Sequence, residues 1–213
     1  MKKYLVDNKS DNLIVFFTGW GCDEHEFEHL SSTSDVLLLY DYSDLDFNFD
    51  FSNYKEINLI AFSAGVFVAT IVDLECKINK KIAISGNPFL FDKYYGLSEN
   101  IQNILYSITE DNADDFAQNY LIKTDDERKR FRHSNRTIES CQNEFKSLKL
   151  LYETNKNKIQ NIYDLLIIGA DDLIFNLSAQ KEYYKNKIKI IENARHNMFF
   201  KITSYDDIFR ICM

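Results

Sequence analysis

Short continuous apolar runs recur along the chain, separated by polar stretches. Four fall in the first half: "NLIVFF" (12–17), "DVLLLY" (35–40), "INLIAF" (57–62) and "KKIAIS" (80–85). Two follow late: "YDLLIIG" (163–169) and "KIKII" (187–191). The four early runs, short, continuous and rich in Val, Ile, Leu or Phe, predict strands covered on both faces, and the two late runs read as further strands. Helical segments are expected between several of them, including 64–75 and 177–186. Strands alternating with helices predict an α/β fold on a mostly parallel sheet.

Residues 88 to about 160 break this rhythm and carry no clear strand. Leu97, Ile101, Ile104, Leu105 and Ile108 recur at helical spacing, as do Ile138, Cys141, Phe145, Leu148 and Tyr152. Amphipathic helices of this kind bury one stripe. The expectation is a core of 1–87 and 161–213 with a helical insertion, 88–160, packed over one end of the sheet. The alternation in "DLDFNFDF" (44–51) fits either a short edge strand or an aromatic-studded loop.

A chain of 213 residues fits one domain with such an insertion. Its formal charge of −8 argues against nonspecific nucleic-acid binding. Cys22, Cys76, Cys141 and Cys212 are far apart, without the close spacing of a metal knuckle or redox motif. No leading apolar stretch reads as a signal peptide, and no run approaches a membrane span. A cytosolic protein with reduced thiols is the expectation.

Chemistry enters where the third run meets the helix after it, in Ala61-Phe62-Ser63-Ala64-Gly65. A serine at a sharp strand-to-helix corner, with small residues two before and two after, is the G-x-S-x-G nucleophile elbow, here with alanine for the first glycine. A serine hydroxyl needs a base and a group that orients the base. In α/β-hydrolases these follow in the order serine, acid, histidine. His196 is the one histidine beyond the last strands. In "LLIIGADDLIF" the acid is Asp172, three after Gly169, with Asp171 as competitor. The oxyanion hole requires the N–H of the residue after the serine, Ala64, and one from the loop after an early strand. The turn Thr18-Gly19-Trp20-Gly21 supplies Trp20.

"HEFEH" (25–29) matches the H-E-x-x-H zinc motif, with His25 and His29 one helical turn apart. Glu28 charges a position such helices normally keep uncharged, and no third ligand follows nearby. The run is expected to be a polar first turn after the oxyanion loop, with no metal and no organic cofactor required.

"FFTGWG", "LLLYDYSDLDFNFDFS", "LIAFSAGVFVA" and the pair "IGADDLIF…ARHNMF" together resemble the BioG family of pimeloyl-[acyl-carrier protein] methyl ester esterases. The resemblance spans most of the chain and is weakest over 88–160. It implies an α/β-hydrolase fold with a small helical lid. It implies removal of the methyl ester that masks the far carboxylate of a pimeloyl chain on acyl-carrier protein, in biotin biosynthesis. It implies Ser63, Asp172 and His196 as the catalytic triad and Trp20 and Ala64 as oxyanion donors. A thioesterase or esterase on another acyl chain would use the same machinery, and a non-catalytic carrier-binding hydrolase fold is the rival of a different class. Arg128, Arg130, Arg132 and Arg136 are four of six arginines in an acidic chain and lie in the insertion. An acidic carrier protein would be steered by such a patch.

Overall fold

The computed structural model describes residues 1–211, so Cys212 lies outside the described residues. All six expected strands are present: β2 (Asn12–Phe17), β3 (Asp35–Tyr40), β4 (Glu56–Phe62), β5 (Lys81–Ile84), β6 (Leu165–Gly169) and β7 (Ile188–Ile191). A seventh, β1 (Lys2–Val6), precedes them. The sheet order is β1-β3-β2-β4-β5-β6-β7, parallel throughout except for β1, which runs antiparallel along β3. All five β1 residues are exposed, so this strand lacks the apolar run that marks the others.

Strand β2 shows why a continuous apolar run suits the centre of this sheet. Side chains alternate across a strand. Leu13, Val15 and Phe17 enter one core layer; Ile14 and Phe16 enter the opposite one. Both layers are dry, because helices cover both faces. Helix α1 (Ala64–Ile71) begins two residues after β4, leaving Ser63 alone at the corner. It ends four residues short of the expected 75, and the chain is extended at Val72.

Between β5 and β6 lie α2 (Glu99–Tyr106), α3 (Ala113–Phe116), a π-helical turn at Ala117–Leu121, α4 (Asp125–Arg130) and α5 (Ile138–Asn155). The apolar stripe of α5 is buried at Cys141, Phe145, Leu148 and Tyr152. Side-chain oxygens cap three of these helices: Ser98 accepts from Ile101 N–H, Thr124 from Glu127 N–H and Thr137 from Ser140 N–H. Helix α6 (Leu177–Tyr184) connects β6 to β7, and α7 (Tyr205–Arg210) closes the described chain. Residues 44–51 form a loop, not a strand; Phe47, Phe49 and Phe51 turn toward the core layer beside it. No described helix is long and apolar enough to cross a membrane.

Candidate active site

Ser63 sits at φ 53°, ψ −119°, a conformation that L side chains rarely adopt. The strain is held by close packing behind it. A Cβ on Gly65 would come within 2.4 Å of the carbonyl oxygens of Phe17 and Thr18, so the start of α1 rests directly on the end of β2. That contact explains the second small residue of the elbow.

His196 Nε2 lies 3.0 Å from Ser63 Oγ, and His196 Nδ1 lies 3.0 Å from Asp172 Oδ2. Asp172 is itself fixed, because its Oδ1 accepts the N–H groups of Ile174 (2.8 Å) and Phe175 (3.0 Å). The imidazole stacks on Phe175 and packs against Phe62. Asp171 turns the other way, to Lys123 Nζ at 2.5 Å, and is half exposed. The loops carrying Asp172 and His196 meet because Gly169 lacks a side chain; a Cβ there would lie 2.3 Å from the Ala194 carbonyl oxygen.

Trp20 and Ala64 border the same pocket as Ser63 and His196. Among the described residues, neither backbone N–H donates to another group of the protein. The pocket encloses about 160 Å³ and is walled mostly by apolar side chains, among them Leu97, Leu105, Ile108, Phe116, Phe145 and Leu148. Burial holds the Cys22 thiol well above its ordinary range and pushes Cys141 up to about 11, so neither is a thiolate at neutral pH.

Glu26 borders this pocket too, and its Oε2 is shielded without a partner. Burial raises its carboxyl from 4.5 to about 7; Cys22 opposes the rise, the charge of Asp23 adds to it while the Asp23 backbone opposes it, and Arg136 opposes it. A carboxyl whose folded pKa is raised favours folding at low pH, and that contribution is lost as pH rises from about 4.5 through about 7. Glu26→Gln is therefore expected to be stabilising at pH 8 by roughly 1–3 kcal/mol relative to its effect at pH 4. Thermal melting of both proteins across that range checks it; a difference independent of pH would refute it.

Of the four arginines, Arg128, Arg130 and Arg132 are exposed. Arg136 is not, and its place in an outer patch is corrected here. Its side chain is 4% exposed, pairing with Glu144 at 2.6 Å and Asp41 at 3.0 Å. A buried guanidinium holding two carboxylates has no free charge to offer a partner. His25 and His29 also part company: His25 contacts Asn135, whereas His29 meets the Phe199 carbonyl and stacks on Phe200. Among the described residues, the ligand atoms that lie close together around His25 do not include those of His29. Asp23, Glu24 and His25 bring three ligand atoms within 4.8 Å, but both Asp23 oxygens already accept N–H groups, from His25 and Asn135.

Three further residues shape the site. Tyr42 donates its hydroxyl to the carbonyls of Thr18 and Leu39, at the base of the Trp20 loop. Arg195 Nη1 donates to the carbonyls of Gln118, Asn119 and Ile122, clasping the π-helical turn to the histidine loop. Glu144, on α5, is fully buried. The readable signal for Glu144 was an acid inside the apolar stripe, between Cys141 and Phe145.

A strained serine after the central parallel strand, with histidine and aspartate from later strand ends, defines an α/β-hydrolase. Solved structures of low identity share the fold. They include a lipase-esterase related protein from Clostridium acetobutylicum (TM-score 0.66, 19% identity, 99% of this chain and 98% of that one). Another is the meta-cleavage product hydrolase CumD from Pseudomonas fluorescens (TM-score 0.63, 13% identity, 99% and 91%). BioG from Haemophilus influenzae is more similar, at TM-score 0.85 and 25% identity over 98% of this chain and 99% of that one. An uncharacterized H. influenzae protein is 27% identical over 96% of this chain and 97% of its own length. A stretch of 88 residues is 40% identical to a malonyl-[acyl-carrier protein] O-methyltransferase from Bacteroides fragilis, covering 39% of this chain and 18% of that protein. The family model described as pimeloyl-ACP methyl esterase BioG matches residues 1–208. The chain belongs to that family, and it is an esterase of the α/β-hydrolase fold.

Proposed function

We propose that Ser63, His196 and Asp172 are a catalytic triad that cleaves the methyl ester of a pimeloyl chain borne on acyl-carrier protein. The observation that carries this reading is the continuous line from Ser63 Oγ through His196 to Asp172, opening into an apolar pocket. His196 Nε2 takes the proton as Ser63 Oγ attacks the ester carbonyl. The N–H groups of Trp20 and Ala64 hold the oxyanion. His196 returns the proton to the departing methoxide, and methanol leaves. Water, activated by the same imidazole, then hydrolyses the acyl-enzyme to a free carboxylate. Methylene groups suit the apolar wall, where a free carboxylate would be poorly solvated.

In this reading 88–160 acts as a lid over the site, and its outer rim meets the carrier. The chain is extended at Phe131, so residues there alternate in direction. Phe131 and His133 line the pocket, while Arg130 and Arg132 are exposed beside it, with Arg128 on the preceding turn. Arg130 is partly engaged, pairing with Asp126 and lying over Phe200, but this exposed basic segment next to pocket-lining Phe131 and His133 suits an acidic partner.

The test is mass analysis of methyl-pimeloyl carrier protein after incubation. Loss of the methyl group alone supports the reading; loss of the whole acyl group would make the chain a thioesterase. Replacing Arg128, Arg130 and Arg132 with glutamate should lower kcat/KM for the carrier-bound ester roughly 10- to 100-fold, through association rate. Hydrolysis of a small p-nitrophenyl ester should remain near wild type. Equal losses on both substrates would mean a distorted lid, and no loss on either would place carrier docking elsewhere.

A further inference from the structure

The turn that carries Trp20 is flanked by Gly19 and Gly21, the second at φ +75°. Glycine-flanked backbone has little rigidity of its own, so its bonds to neighbours decide where the Trp20 N–H points. Thr18 is tied to Leu39 and Tyr42, and the Cys22 N–H closes back on Gly19, while the bonds to Trp20 and Gly21 come from α5. Trp20 Nε1 donates to the Cys141 carbonyl at 2.6 Å. One turn further along, Glu144 Oε2 accepts the Gly21 N–H at 3.0 Å and Oε1 accepts the Tyr42 N–H at 3.0 Å. Arg136 Nη1 donates to the same Oε2, and its Nη2 reaches Asp41 and Ser140. Burial raises the Glu144 carboxyl above its ordinary range, and Arg136 with the two N–H donors opposes that rise.

We infer that Glu144 is a positioning residue for the oxyanion hole, fixing the peptide beside Trp20 from beneath. The inference rests on Trp20 N–H being an oxyanion donor. A carboxylate accepting two N–H groups in a dry site is a strong, directional clamp. The ion pair alone is a weak reason to keep it, since buried pairs are often matched by apolar replacements, whereas the two N–H groups do need an acceptor. Pre-organised donors, by contrast, lose much of their effect when displaced by about 1 Å.

The decisive variant is Glu144→Leu combined with Arg136→Met, which removes both buried charges together. On a p-nitrophenyl ester, kcat should fall roughly 10- to 100-fold with KM within about threefold. Affinity for an alkyl boronic acid, which forms a tetrahedral adduct on serine, should fall by a similar factor. The melting temperature should fall, because the Gly21 and Tyr42 N–H groups lose their acceptor and Asp41 loses a partner, so kcat and boronate affinity are read well below the transition. Glu144→Gln, which keeps one acceptor, should lie between wild type and the double variant. A folded double variant with wild-type kcat and boronate affinity overturns the inference. So does a loss of kcat with boronate affinity unchanged. Should the double variant fail to fold, Glu144→Gln decides by the same two readouts. Ser63→Ala run in parallel separates the two levels: if it retains turnover the triad reading fails, whereas an essential Ser63 beside an inert Glu144 sinks only this inference.

Discussion

Ser63→Ala should lower kcat on order of 10⁶-fold, by analogy with removal of a triad nucleophile, while the protein melts at its wild-type temperature. The substitution deletes one hydroxyl, whose recorded hydrogen bond is to His196. Alanine carries the same Cβ into the same strained corner, so the backbone cost is unchanged. The packing of Gly65 on β2 is untouched. A fluorophosphonate probe should label the wild type and fail to label the variant. Substantial turnover by a folded Ser63→Ala protein would eliminate Ser63 as nucleophile. A wild type that neither turns over nor labels would instead indicate a fold that only binds its partner.

Asp172→Asn should cost about 10⁴ in kcat with the fold intact. Asparagine can keep the two N–H contacts from Ile174 and Phe175 through its amide oxygen. Its amide nitrogen then faces His196 Nδ1, where Asp172 Oδ2 now accepts. Two donors cannot face one another, so the imidazole must carry its proton on Nε2, toward Ser63, and can no longer act as base. Asp171→Asn loses only a half-exposed pair with Lys123 and should leave kcat within about twofold. The opposite ranking, measured on any small ester, would transfer the acid role to Asp171.

The parts readable from sequence were those with a local signature. Strands β2 to β6 carry mainly apolar runs because both sheet faces are covered, whereas edge strand β7 is broken by exposed Lys189. Strand β1 carried none, since "KKYLV" is exposed along its length and is held by pairing with β3. Residues 44–51 alternate like a strand, yet their phenylalanines pack as a loop against the core. Ser63, Asp172 and His196 could be singled out because each follows a strand end in a fixed order, and the structure brings the three side chains together. Arg136 was not, because its partners Glu144 and Asp41 are 8 and 95 positions away. Read along the chain, it is simply the last member of an arginine run; in space it has left that run for the interior.

The grip of Arg195 on the π-helical turn and the indole bond of Trp20 to α5 bear on how this enzyme can be rebuilt. Exchanging residues 88–160 for the matching segment of another hydrolase would not be a modular swap. Arg195 would lose three carbonyl acceptors one residue from His196, and the Trp20 indole would lose its own. These stranded donors, and the Gly21 and Tyr42 N–H groups that Glu144 accepts, belong to the recipient core, so the graft would damage the part of the molecule left unaltered. Asp41 and Tyr42 would lose Arg136 and Glu144 as well, so a workable chimera must carry Arg195, the 18–22 turn and residues 41–42 along with the new helices, four separate stretches of chain.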